Sequence, residues 1–79
     1  MSIEEYDIVA LTEDLLTYHK HTQQSIILRR GQVGTVLMLF DQKAGLIDFS
    51  DTDGHTYAME TVPLSKLMVL LHSPEAIAA

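Results

Sequence analysis

Cysteine is absent from this 79-residue sequence, which removes a disulfide framework, a cysteine-bearing zinc ribbon and a thiol nucleophile together. Basic side chains are scarce: five Lys and Arg stand against eleven Asp and Glu. The resulting net charge of −6 has the wrong sign for general phosphate binding. Aromatic residues make up only 6% of the chain, which limits the stacking surface that small barrels use on nucleic acids. No apolar run approaches the roughly 20 residues that span a bilayer, so no membrane partner is expected. The start, Met1-Ser2-Ile3, lacks the cationic region and apolar stretch of a secretory signal, and the expected location is cytoplasmic.

What is present reads as one small globular domain over residues 1–79. Hydrophobic residues at 47% and charged residues at 20% argue against intrinsic disorder. A chain of this size buries only about 60–65% of its unfolded surface, so its stability margin is thin.

Strand signals dominate. After an acidic start (Glu4, Glu5, Asp7) the chain turns apolar at Ile8-Val9-Ala10-Leu11. Ile26-Ile27-Leu28 is rich in β-formers, and Val33-Gly34-Thr35-Val36-Leu37-Met38-Leu39-Phe40 is almost continuously apolar. The second run fits a strand buried on both faces or one that bends between two sheets. Gly34 favours the bend, since glycine inside a strand marks a bulge or a close backbone approach. Asp41-Gln42-Lys43-Ala44-Gly45 reads as a turn and Leu46-Ile47-Asp48-Phe49-Ser50 as a short strand. Asp51-Thr52-Asp53-Gly54 is a hairpin turn, because Asp-Gly supplies the positive φ that tight turns need. In His55-Thr56-Tyr57-Ala58-Met59-Glu60, alternation places Tyr57 and Met59 on one face, Tyr57 turned toward the core with its hydroxyl at the rim. Pro63 cannot donate to a ladder and breaks it. Leu64-Ser65-Lys66-Leu67 looks like a single turn before the apolar run Met68-Val69-Leu70-Leu71, with a helix over residues 65–71 as the rival reading. Met38, Met59 and Met68 all fall where gap-filling in a core is the default role.

Two segments resist typing. In the polar stretch 12–24, either Thr12 caps one or two helical turns around Leu15 and Leu16, or the chain forms a long, partly ordered loop. The tail, residues 72–79, forms either a frayed turn or no structure. Short strands, close turn signals and little helix point to an all-β, SH3-like small antiparallel barrel of about five strands with a long first loop. The barrel spans residues 6–71 and the insertion loop residues 15–27. Rolling the sheet on itself removes most exposed edge, an economy that suits so short a chain.

The ordered series Asp7-x-Val9-x-Leu11, Leu28-Arg29-Arg30-Gly31-x-x-Gly34-Thr35-Val36 and Asp53-Gly54-x-x-Tyr57-Ala58 resembles a family of short uncharacterised bacterial proteins, a domain of unknown function. The resemblance implies an SH3-type small barrel over residues 6–71 and implies no activity. Residues 15–27 depart from the family pattern, which crosses this stretch by a shorter loop, so no family-wide role passes to His19 or His21.

Chemistry-bearing residues are sparse. His19-x-His21 would share one face of an extended strand and could hold a metal with His55 or His72. No carboxylate stands at a recognised metal spacing, and solvated histidines in a polar loop are the simpler reading; no cofactor or metal is expected. Asp48, Asp51 and Asp53 fail the calcium-loop pattern in both registers, because position twelve falls on Met59 or Val62 instead of a glutamate. Ser, His and Asp occur without a Gly-x-Ser-x-Gly elbow, and Gly31-Gln32-Val33-Gly34 lacks the Lys-Ser/Thr of a phosphate loop. A small barrel is also filled by its own core, which leaves no room for an active site. The chain is therefore expected not to be an enzyme.

Candidate contact residues are Tyr18, the best placed tyrosine for an exposed contact, and the adjacent cations Arg29 and Arg30. The bland reading of the two arginines is pairing with nearby carboxylates. The expected function is a non-catalytic protein–protein interaction module, of antitoxin-like or immunity-like size, whose acidic balance favours a protein partner with a basic face. The alternative is a nucleic-acid or ribosome-associated barrel using Arg29, Arg30 and the turn at Lys43. Self-association through the apolar edge Met68-Val69-Leu70-Leu71 would make a homo-oligomer.

Overall fold

The computed structural model describes residues 2–78. The chain is all-β: β1 (Ile8–Leu11), β2 (Leu15–Tyr18), β3 (Ser25–Leu28), β4 (Val33–Phe40), β5 (Ala44–Ser50), β6 (Thr56–Pro63), a 3-10 turn (Leu64–Lys66) and β7 (Leu67–Val69). Five strands form one antiparallel sheet in the order β6-β5-β4-β1-β7, and β2 and β3 form a separate hairpin. This is the SH3-like arrangement: a central meander, a single 3-10 turn, and a last strand that returns to pair with the first. The chain continues β6 to Pro63 itself and then leaves the ladder, as a residue without an N–H requires.

Bending of β4 lets one strand serve two neighbours. Its first residues pair with β1 (Ile8↔Thr35 through Ala10↔Val33), whereas Thr35 onward pairs with β5. A register shift between Val36 and Met38 absorbs the turn of the sheet. Gly34 serves close approach instead of the bulge: a Cβ there would meet Ile47 Cγ2 at 2.6 Å. Beyond the bulge Met38 and Phe40 reach solvent, so the bent-strand reading of this run is the one that holds.

Val9, Leu11, Leu28, Val36, Ile47, Phe49, Ala58, Val62 and Leu67 form the core, one to two residues from every strand but β2. In β5 the alternation is complete, with Gly45, Ile47 and Phe49 buried. In β6 the buried positions are Ala58 and Val62, which corrects the expectation for Tyr57 and Met59. The small Ala58 fits over Phe49, its partner in the ladder, while Tyr57 packs half-buried at the margin. Met68 and Met38 are about half exposed and so do not fill core gaps; both stand on outward faces of their strands.

Candidate interaction surface

Residues 15–27, expected as an insertion loop or short helix, instead belong to an ordered hairpin. Leu15 pairs with Leu28, Leu16 with Ile27, Thr17 with Ile26 and Tyr18 with Ser25. Alternation then sorts the side chains. Thr17 and Leu28 turn inward and are buried, whereas Leu16, Tyr18, Ser25 and Ile27 turn outward.

One contact closes the base of the hairpin and two hold it to the barrel. At its base, Asp14 accepts the Arg30 backbone N–H (2.8 Å) and an Arg29 guanidinium N–H (3.2 Å). The Arg30 N–H holds the Asp14 carboxyl below its ordinary range, slight desolvation opposes it, and the Arg29 hydrogen bond and charge add to the lowering. In the middle, the Thr17 hydroxyl donates to the Glu60 carboxylate of β6. Near the tip, the Lys20 N–H donates to the Tyr57 carbonyl at 2.8 Å. The tip itself is closed by an imidazole: His19 Nδ1 accepts the backbone N–H groups of His21 (3.1 Å) and Thr22 (3.3 Å). Gln23 supplies the left-handed turn residue at φ 62°.

The outcome is an exposed apolar face on a well-tethered hairpin. Leu16 is 80% exposed, Tyr18 63% and Ile27 40%. A shallow depression lined by Leu16, Thr17, Tyr18, Ser25 and Ile26 runs along it. Tyr18 is therefore exposed, as expected of it, and Leu16 and Ile27, which the sequence reading did not single out, lie on the same face. Their signal was present: Leu15-Leu16-Thr17-Tyr18 and Ser25-Ile26-Ile27-Leu28 alternate in mirror order once the two are paired.

Arg29 and Arg30 lie at the opposite end of the hairpin from Tyr18. Arg29 is engaged with Asp14; among the described residues the Arg30 side chain makes no ion pair. Both line a second open cleft with Gly31, Gln32, Val33, Ser50 and Tyr57, where the Gln32 amide donates to the Tyr57 hydroxyl at 2.7 Å. Lys43 sits in the turn after β4, with the eight residues of that strand between it and the arginines. Thus these cations form no continuous strip. The local charge differs from the global one, however. Residues 13–30 hold three of the five cations and two of the eleven carboxylates, so they carry +1 while the rest of the chain carries −7.

His19 and His21 are close, with ring centroids 6.0 Å apart, and His19 Nδ1 is occupied by the two N–H groups of the turn. Neither His55 nor His72 joins them. The one grouping of three candidate ligands among the described residues is Asp51, Asp53 and His55, all exposed in the β5–β6 turn. Asp51 Oδ1 there accepts the N–H groups of Asp53 (2.9 Å) and His55 (3.0 Å), which is the bonding of a turn cap. The His55 N–H leads the causes that hold the Asp51 carboxyl below its usual range, with slight desolvation opposing and the Asp53 N–H assisting. Gly54 takes the expected positive φ, 83°.

No helix among the described residues is long and apolar enough to cross a membrane. No curated protein and no solved structure matches the sequence. The profile of one family, Domain of unknown function (DUF4926), matches residues 5–69, a span that runs from the turn before β1 to the end of β7 and includes the hairpin. The chain belongs to that family.

Proposed function

We propose that this protein is a non-catalytic interaction module that recognises a protein partner through the outer face of the β2–β3 hairpin. The observation that carries the reading is the exposure of Leu16 and Tyr18 on an element closed at its base by Asp14 and tied to the barrel by Thr17 and Lys20. Leaving apolar surface open costs stability that so small a domain has little of, and a fixed apolar patch rimmed by polar groups suits a binding face. Tyr18 adds a rigid anchor with a hydrogen-bonding tip, and Arg30 a free cation at the far end of the same element. The acidic remainder of the chain steers a partner with a basic face, while contact is made at the near-neutral hairpin. A cytoplasmic antitoxin-like or immunity-like protein is one form of such a module.

The alternative, a nucleic-acid-binding barrel, draws on Arg30 and the cleft beside Gln32 and Tyr57. Against it stand the net charge, the neutralisation of Arg29 by Asp14 and the remoteness of Lys43. Anisotropy titration with labelled single- and double-stranded RNA and DNA at low salt separates the two. The protein-partner reading expects no saturable binding up to about 100 µM, weaker than ordinary non-specific association. Saturation at low micromolar protein that Arg30→Ala abolishes would replace it with the nucleic-acid reading.

A further inference from the structure

The hairpin has two edges, and the hydrogen bond at its tip identifies which groups each one presents. The His19 N–H donates to the Gln24 carbonyl at 2.8 Å, so His19 and Gln24 are a hydrogen-bonded pair. Alternation along an antiparallel ladder makes Thr17–Ile26 and Leu15–Leu28 the next bonded pairs, and leaves Leu16–Ile27 and Tyr18–Ser25 with their N–H and C=O groups pointing away from each other. On the β2 side these outward groups run toward β6, as the Lys20 N–H to Tyr57 bond shows. On the β3 side the outward groups belong to Ser25 and Ile27, and among the described residues no backbone bond reaches them.

This edge is protected by its shortness alone. Proteins blunt open edges with short strands, lysine, proline, a bulge or an inward charge. β3 has only four residues, Ser-Ile-Ile-Leu, but it pairs in perfect register with β2 and has none of the other devices. It also lies in the segment that carries +1, while the rest of the chain carries −7. Two copies of an acidic protein meet with less repulsion at a region that does not share its sign, and this one holds three of the five cations.

We propose that a second copy of this chain pairs with β3, antiparallel about a two-fold axis through Ile26, so that Ser25 of each copy faces Ile27 of the other. Only this register sets outward-pointing residues opposite one another at both positions, which gives four N–H···O bonds. It puts Gln24 opposite Leu28 and Gln23 opposite Arg29, so no like charges face each other. The product is a four-stranded sheet, β2-β3-β3-β2, with the Leu16, Tyr18 and Ile27 faces of both copies on one side. The pairing is weak, because a four-residue edge buries far less than the roughly 800 Å² per partner of a stable interface. It leaves the outer face open, so it stands whether or not that face takes a partner.

Sedimentation equilibrium from about 10 µM to about 1 mM, at roughly 0.15 M salt to screen the acidic bodies, tests the association. Wild type is compared with Ile27→Lys, which puts a lysine on the edge at a 40% exposed position, and with Met68→Lys on β7. Amide exchange of the wild type is followed at the two ends of the same range. The expected result is a mass that rises toward twice 8.8 kDa for wild type and Met68→Lys and stays monomeric for Ile27→Lys. The Ser25 and Ile27 amides should exchange about tenfold more slowly at high concentration, while Ile26 and Leu28 are unchanged. A monomeric wild type at 1 mM, or a dimer without slowed exchange at Ser25 and Ile27, overturns the proposal. So does a dimer that Met68→Lys breaks and Ile27→Lys does not.

Discussion

Gly34 occupies a position where a single methyl group has nowhere to go. The Cβ of an alanine would lie 2.6 Å from Ile47 Cγ2, 3.1 Å from the Asp48 carbonyl oxygen and 3.1 Å from the Phe49 ring. Ile47 and Phe49 are fully buried, so neither can move aside without disturbing the core. Gly34→Ala should therefore lower the unfolding free energy by about 1–3 kcal/mol, the ordinary cost of overpacking. Urea titration checks this through a lower midpoint at unchanged slope. The glycine was legible as a special position because it interrupts an otherwise continuous β-forming run. The sequence left bulge and close approach open and favoured a bend there, whereas the bulge falls between Val36 and Met38. The residues of the β4–β5 turn were less legible. Asp41 and Gln42 both adopt positive φ, 52° and 57°, with the Lys43 N–H closing on the Phe40 carbonyl. The three-residue connection Asp41–Lys43 thus contains a β-turn whose two central residues take the conformation glycine usually supplies, so the sequence reads as a turn two residues too long, with Ala44 and Gly45 left out of β5.

At the scale of the element, the hairpin depends on Asp14 at its base, and that dependence has a sign. The Asp14 carboxyl is held below its ordinary 3.8, chiefly by the Arg30 N–H, and Asp51 is likewise lowered by the His55 N–H. A depressed folded-state pKa stabilises the fold above the unfolded value and loses that contribution as pH falls through the folded value. The thermal midpoint should thus hold from neutrality to about pH 4 and decline below it. Asp14→Asn should lower the midpoint at neutral pH and flatten part of the acid decline; circular-dichroism melts of the two proteins across this range measure both effects. An equal acid decline in both would remove Asp14 from the account.

The same element shows why sequence reading fell short. Its strands are only four residues long, β2 contributes no member of the core, and its turn contains neither glycine nor proline. A histidine side chain caps that turn and a glutamine supplies the left-handed residue, and neither is a recognised turn signal. By contrast β4 is eight residues of nearly unbroken β-formers, and its limits were readable to the residue. Tyr18 was singled out correctly as exposed, but without the pairing of β2 and β3 nothing joined it to Leu16 and Ile27.

Over the whole molecule, charge and apolar exposure are separated. Residues 13–30 carry +1 against −7 for the rest of the chain, and the hairpin they form also bears the most exposed large hydrophobic residue of any strand, Leu16. Other apolar side chains are open elsewhere, Met68 and Leu71 among them beside a groove that Ile3, Leu64 and Val69 help to line. Those two residues provide the internal control. If the hairpin face is the contact surface, a charge placed on it must cost the partner while the same charge on β7 must not. Tagged wild type, Leu16→Asp and Met68→Asp are used as baits in nuclease-treated lysate of the native host, with quantitative mass spectrometry. Leu16 and Met68 are both exposed, so neither substitution should unfold the barrel, which melting curves of the baits verify. A near-stoichiometric protein is expected on wild type and Met68→Asp that falls at least about tenfold on Leu16→Asp, as for loss of a buried apolar anchor. A partner retained by Leu16→Asp, or lost only with Met68→Asp, would contradict a contact at the hairpin face.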